Sequence, residues 1–423
     1  MSAADAVMVR VPPPFRRDAT VQTWLVVKAL SDAGDAVWTI AVAWTAVQIA
    51  SPAVAGLVVA AGTIPRALIL LVGGAVADRV DARRMMLLFN SLRVLALVVA
   101  ASWILMTGPT VMILLIATVA FGICDAFYEP AAGTIPRQLV RPADLPVYSA
   151  LSQTLSRLGT MAGAAVGGFL VAWMGMPGSA ATDAVTFSIV IAFIAIWLRP
   201  RFALPRSGSD ASVLQGVASG FRHLGNDSTT RTLVIALSGL NLAVGPALAI
   251  GLALQARHNG WGAASVGLFE ALVGAGAMIG ALAVVRRRPR HEAIGAFWSL
   301  VVQGFGIVLL GVGAPGVVGV GCVIIGLTAG FASVLLGATF AATVAPDYLG
   351  RMSSITRLGD DCLMPVAMAA FGALAAVLPL WVPFALYGSA LALLMVIPLR
   401  NPRLRAIALR EQSAVTQGAE ARA

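Results

Sequence analysis

Twelve apolar runs, separated by short polar turns, dominate this chain. Stretches such as "VMILLIATVAFGICDAFY" (111–128) and "ALYGSALALLMVIPL" (385–399) carry one charged residue or none. A helix of about 20 residues crosses a hydrocarbon core roughly 30 Å thick. Only 11% of the 423 residues are charged and 59% are hydrophobic, too little charge to cover a soluble domain of this size. The expected fold class is therefore an all-α polytopic membrane protein.

Hydropathy and Gly/Pro punctuation predict spans at 22–48, 53–77, 84–106, 109–133, 147–173 and 178–199, then at 231–256, 262–285, 292–313, 316–344, 351–377 and 380–399. This divides the chain into an N-terminal tail (1–21), a six-helix bundle (22–199), a polar linker (200–230), a second six-helix bundle (231–399) and a C-terminal tail (400–423). In the linker, Val213, Val217, Phe221 and Leu224 share one helical face, which fits either a short amphipathic helix on the membrane surface or an ordinary solvated linker. Ser156-Arg157-Leu158-Gly159 in the fifth span returns as Thr356-Arg357-Leu358-Gly359 in the eleventh. An echo in corresponding spans points to two parallel six-helix repeats, a known transporter plan.

The net charge is +10, carried almost wholly by arginine, since Lys28 is the single lysine. Alternate turns hold the arginines: Arg79, Arg83 and Arg84; Arg137 and Arg141; Arg201, Arg206 and Arg222; Arg286, Arg287, Arg288 and Arg290; Arg351. The opposite turns hold only Arg257 and His258. By the positive-inside rule both termini and the 200–230 segment are expected in the cytoplasm, and the protein in the cell (inner) membrane. The first span, following a polar, proline-rich start without a small-residue cleavage site, reads as an uncleaved insertion signal.

Enzymatic chemistry finds no foothold. A phosphate-binding GxxxxGK loop needs a lysine, and Lys28 follows "WLVV". "GVGAPG" (311–316) has the GxGxxG form without strand context, and His223, His258 and His291 are scattered through turns. Cys124, Cys322 and Cys362 lie inside apolar runs and are expected to be buried small hydrophobes. The basic charge lies in turns between spans rather than on a free basic face, so nucleic acid is not an expected partner. No enzyme activity, cofactor or metal is expected; the lipid bilayer is the first partner.

One turn is unlike the rest. "GGAVADRVDARR" (73–84) crowds Asp78, Arg79, Asp81, Arg83 and Arg84 between the second and third spans. It resembles the signature loop GxLADRxGRR of the major facilitator superfamily, matched by Gly74, Asp78, Arg79, Arg83 and Arg84. Asp81 stands where glycine is usual, and Ala82 where the first trailing arginine is usual. The resemblance implies two six-helix bundles, a monomer and a cytoplasmic latch in which Asp78 faces the start of the eleventh helix. A plain topology anchor is the alternative. "GDAVWTIAVAW" (34–44) and "DAFYEPAAGTIPRQLV" (125–140) resemble the branch holding macrolide-efflux proteins and enterobactin exporters. "RLGTMAGAAVGGFL" resembles the antiporter motif GxxxGPxxGG through Gly159, Gly163, Gly167 and Gly168, with Ala164 in place of its proline. Such glycines let the fifth helix slide against the other half, or simply pack tightly.

Charges inside spans cost free energy and face a partner or a cavity. Lys28 and Asp32, and Asp125 and Glu129, are i,i+4 neighbours on their helices. On the family's map of interface helices, Arg66, Arg157, Glu270, Arg357, Asp360 and Asp361 are candidate interface charges, either switching between states or fixing register. Asp35 lies near mid-depth with no basic residue within four positions, which makes it the first candidate for proton coupling. Asp32, Asp125 and Glu129 follow; Asp125 and Glu129 can share a proton one turn apart. The expectation is a proton-coupled antiporter that exports amphipathic organic small molecules, as in multidrug resistance, by alternating access. The alternatives are an importer or lysolipid flippase of the same fold, and a non-transporting membrane receptor.

Overall fold

The computed structural model describes residues 13, 15–69, 81–199, 201–202, 221–222, 224–289, 291–344 and 346–405. Among them no strand occurs. The first half contains α1 (Ala19–Ile49), α2 (Pro52–Ile69), α3 (Ala82–Thr107), α4 (Val111–Leu139) and one continuous stretch, Leu145–Ile196. That stretch reverses at Gly175 (φ 64°, ψ −170°), a conformation natural only to glycine, and Pro177 helps restart the helix. It therefore supplies two spans, α5 (145–174) and α6 (176–196). The second half contains α7 (Ser228–His258), α8 (Ala263–Arg286), α9 (Glu292–Leu310), α10 (Pro315–Thr343), α11 (Pro346–Val377) and α12 (Trp381–Leu399).

Local chemistry sets these boundaries. Asp18, Ser51, Asp81, Thr110 and Asp227 each accept a backbone N–H of the turn they precede, capping α1, α2, α3, α4 and α7. Asp81, the residue that departs from the signature loop, thus has a structural role as the α3 cap. Pro246 removes a backbone donor inside α7, and a π-helical turn, Ala247–Gly251, follows it. The amphipathic stretch of the linker falls outside the described residues except near its end, where Phe221 is exposed and Leu224 packs toward Val234, Met352 and Ile355.

Helix α1 packs along α5, and α8 along α10, while α5 meets α8 and α2 meets α11 between the halves. Glycine permits the closest of these approaches. A Cβ on Gly56 of α2 would lie 3.0 Å from the Met368 carbonyl of α11, and one on Gly168 of α5 would lie 2.7 Å from Gly267 Cα of α8. Both contacts sit toward the face opposite the arginine-rich turns. There an apolar core runs through both halves, including Val42 and Val47 with Leu252 and Leu254. Arg257, at the end of α7, donates to the carbonyls of Val47 and Ala50, the latter at 3.0 Å, and so ties α1 to the other half. A cavity of about 630 Å³ lies beside it, bordered by Gln48, Ser51, His258 and Leu380. Toward the arginine-rich face the core divides. Trp24, Met86, Tyr128 and Ile135 belong to an apolar cluster confined to the first half.

Three of the four motif glycines do not face the other half. A Cβ on Gly159 or Gly163 would overlap the carbonyl of Ala29 or Ala33, and one on Gly167 would lie 2.9 Å from Val37 Cα, all on α1. Only Gly168 meets α8. The period of four thus faces a neighbour within the same bundle, as the tight-packing alternative has it, and its last glycine alone reaches across. Gly163→Ala is expected to lower the melting temperature of the purified protein in detergent, at a cost of about 1–3 kcal/mol, because a backbone carbonyl cannot rotate away. Gly133→Ala, in α4 with nothing within 4 Å of the added methyl, should leave it unchanged or slightly raised.

Candidate functional site

The polar side chains of the first half gather at mid-depth around a residue that the sequence reading passed over. Arg93 of α3 is 1% exposed, inside an apolar bundle. Its guanidinium forms an ion pair with Asp125 of α4 and donates to Asn90 Oδ1 at 3.4 Å. Three rings surround it, Phe121, Tyr128 and Phe187, with centroids 5.1, 4.6 and 5.0 Å from its central carbon. An arginine can be held this way because its flat cation stacks on ring faces while its edge binds a carboxylate. Asp183 of α6 was also missed; it is fully buried, and its Oδ1 accepts from Thr186 Oγ1 at 3.1 Å. The general rule that charge inside a span marks function would have found both residues.

The four sequence-based proton candidates fall into different environments. Asp32 pairs with Lys28 at 3.0 Å, and Lys28 also donates to Ser156 Oγ of α5 at 3.2 Å. Asp125 binds Arg93, whereas Glu129 lies 3.8 Å from Arg66 of α2. Although one turn apart on α4, those two carboxylates are therefore drawn to different cations. Asp35 has neither arrangement. It is half-buried, and its Oδ1 is sealed from solvent with no hydrogen-bond donor. Thr39, one turn further along α1, is exposed and donates back to the Asp35 carbonyl at 2.8 Å.

Of the candidate interface charges, Arg66 does the most. While 3.8 Å from Glu129 of its own half, it reaches Asp361 of α11 at 3.4 Å. The pair borders a cavity of about 410 Å³ whose walls include Arg357, Asp360, Phe340 and Leu237. Asp360 is held in turn by Asn241 Nδ2 of α7 at 2.7 Å. Arg157 of α5 donates to Ser333 Oγ of α10 at 3.4 Å, a further polar link between halves. Glu270 is half-buried in α8 and takes part in neither link; among the described residues Arg66–Asp361 is the one ion pair that joins the halves.

At the arginine-rich face, Arg83 donates to the Ile194 and Ala195 carbonyls at 3.0 and 2.6 Å, tying α3 to the end of α6 within the first half. Arg84 is exposed. Gly74, Asp78 and Arg79, the centre of the expected latch, lie outside the described residues. Cys124 and Cys322 are buried, but Cys362 is exposed on α11, contrary to the sequence expectation, because its helix turns that side away from the core.

Replacing Arg93 by Met leaves Asp125, half-buried at membrane depth, without its cation. The expected cost is about 3–5 kcal/mol of stability. Adding Asp125→Asn to Arg93→Met should recover much of it, which a double-mutant cycle of melting temperatures would read.

The sequence pattern of the Major Facilitator Superfamily matches residues 25–361. A multidrug efflux pump, Tap of Mycolicibacterium fortuitum, is 26% identical over 211 residues, covering 48% of this chain and 51% of that protein. The match spans about half the length of that relative. The nucleoside transporter NupG is similar in structure with a TM-score of 0.69 at 12% identity, over 90% of this chain and 98% of that one. A POT family transporter crystallised with 5-aminolevulinic acid gives 0.70 at 12% identity over 91% and 96%. The human organic anion transporter MFSD10 gives 0.61 at 17% over 91% and 100%. At such identities the likeness to solved structures concerns the fold alone, and it agrees with the sequence match: this chain is a multi-pass membrane protein with the major facilitator fold and belongs to the Major Facilitator Superfamily.

Proposed function

We propose that this transporter exports amphipathic organic molecules in exchange for protons, its two six-helix bundles alternating between two open states. The observation that carries the reading is Asp35, a membrane-depth carboxylate with a sealed, donorless oxygen on the first helix. Asp32, Asp125 and Glu129 have a cation each, whereas Asp35 has only the more distant influence of Arg93 and Lys28. A carboxylate without a cation of its own is one whose protonation can respond when its surroundings change. The partial likeness to a multidrug efflux pump supports export.

In this reading the arginine-rich face is cytoplasmic, following the positive-inside rule. The halves then meet on the outer side, where Arg257 grips the end of α1, and part toward the cytoplasm, the arrangement of an inward-open state. Arg66, bound to both halves near mid-depth, is the ion pair best placed to rearrange as the bundles rock. The Gly74, Asp78, Arg79, Arg83 and Arg84 loop would serve as a cytoplasmic latch once that side closes.

Asp35→Asn is expected to fold and to lose at least tenfold of proton-driven ethidium transport in everted vesicles, while wild-type transport collapses with an uncoupler. Unchanged transport with unchanged pH dependence in the variant overturns the assignment, and flux in the opposite direction overturns export. Arg257→Ala should open the outer side more often, raising the labelling rate of a cysteine placed at the buried Val47 by a membrane-impermeant maleimide several-fold. An unaltered rate removes Arg257 as an outer clamp.

A further inference from the structure

Asp183 has no role in the reading above, yet it is the most enclosed acid near Asp35. No part of it reaches solvent. Thr186 serves its Oδ1, and its Oδ2 has no donor. The carboxyl lies directly against α1 at Gly34: a Cβ there would overlap Asp183 Oδ1 and Thr186 Oγ1. The residue that follows Gly34 is Asp35, whose own Oδ1 is also buried without a donor. Glycine at position 34 thus lets an acid from α6 reach the backbone of α1 beside another acid.

The nearby charges are already committed. From α1, Lys28 is bound to Asp32. From α3, Arg93 is bound to Asp125 of α4. Also on α4, Glu129 looks to Arg66, and Tyr128 stacks on Arg93. Asp183 feels the charge of Asp35, and both feel Arg93, but neither has an ion-pair partner of its own among the described residues. Two ionised carboxylates meeting at one stretch of α1 without a cation of their own repel each other and forfeit hydration. One proton held between them removes a charge and supplies a donor where the structure otherwise offers none.

We infer that Asp35 and Asp183 form a single proton-binding pair in which the buried Asp183 holds the proton against Asp35. The inference rests on the proposal that Asp35 is the coupling acid, and it adds a partner from α6. The proton enters and leaves through Asp35, which alone of the two borders the exposed side of α1. Asp183 is a positioning residue: it sets how strongly the pair holds the proton and which way Asp35 faces. The two groups titrate together, so the observed midpoint belongs to the pair.

The test is infrared spectroscopy of the full chain in nanodiscs, following the C=O stretch of protonated carboxyls, sensitive to deuterium, across a pH titration. Asp183→Asn should remove one component, Asp35→Asn should move that same component in frequency as its partner is lost, and the double variant should remove no more than one. Loss of two independent components, or no loss in Asp183→Asn, overturns the pair. Should Asp183→Asn fail to fold, a component left unmoved in Asp35→Asn overturns the pair equally. In everted vesicles, Asp183→Asn should shift the midpoint of the pH profile for ethidium transport by about tenfold in proton concentration. If Asp35→Asn abolishes pH dependence while Asp183→Asn leaves the profile in place, Asp35 stands as a lone coupling acid and the pair falls. If Asp35→Asn leaves transport intact while the spectra show the shared proton, the coupling assignment falls and the pair stands.

Discussion

A charge within a membrane must be bound to something, because neither lipid nor a packed helix bundle can solvate it. In the first half of this protein that constraint is met at Arg93, whose cation is stacked among three aromatic rings and paired with Asp125. The arrangement fixes α3, α4 and α6 at one depth, since the rings and the acid come from α4 and α6. It also uses up the one fully buried positive charge among the described residues. Every other acid in the region must find a different cation or do without. Asp32 finds Lys28, Glu129 finds Arg66, and Asp35 and Asp183 find none.

This uneven distribution separates structural from mobile charge. Arg93 with Asp125 lies within one bundle, so rocking of the halves need not disturb it. Arg66 is different: its partners lie on both sides of the interface, at 3.8 and 3.4 Å, and cannot both keep their distances if the bundles move apart. The glycine contacts follow the same division. Gly163 and its neighbours press α5 onto α1 inside a bundle, whereas Gly56, Gly168, Gly267 and Gly372 mark where one bundle meets the other.

Much of the fold was legible from sequence because a bilayer imposes a length on each span and leaves its signature in hydropathy. The turn at 174–177 was placed well, although a single glycine makes it so tight that α5 and α6 run on as one helical stretch. Partnership was harder to read. Asp125 and Glu129 are neighbours by spacing, but α2 and α3 each offer one of them an arginine, a fact that no local pattern contains. The motif glycines showed a close-packed face without showing which helix lay against it. Arg93 and Asp183 carry the same signal as Asp35, a charge within an apolar run, but the rings, acid and backbone that receive them come from other helices, which no local pattern reveals.

Helix α1 connects these features. Near the arginine-rich face, Asp18 at its start is bound by Arg201, and Lys28 reaches Ser156 of α5. At mid-depth its backbone meets Asp183 through Gly34, with Asp35 alongside. At the opposite face its last carbonyls are held by Arg257 of the second half. It is thus fastened to its own bundle over most of its length and to the other bundle at one end. A change of charge at Asp35 alters the fit of α1 against α6, and a rigid helix carries any resulting tilt about 20 Å to its far end. A residue at mid-depth can in this way bear on the outer contact without touching it, because the helix that binds the proton also carries the carbonyls that Arg257 holds.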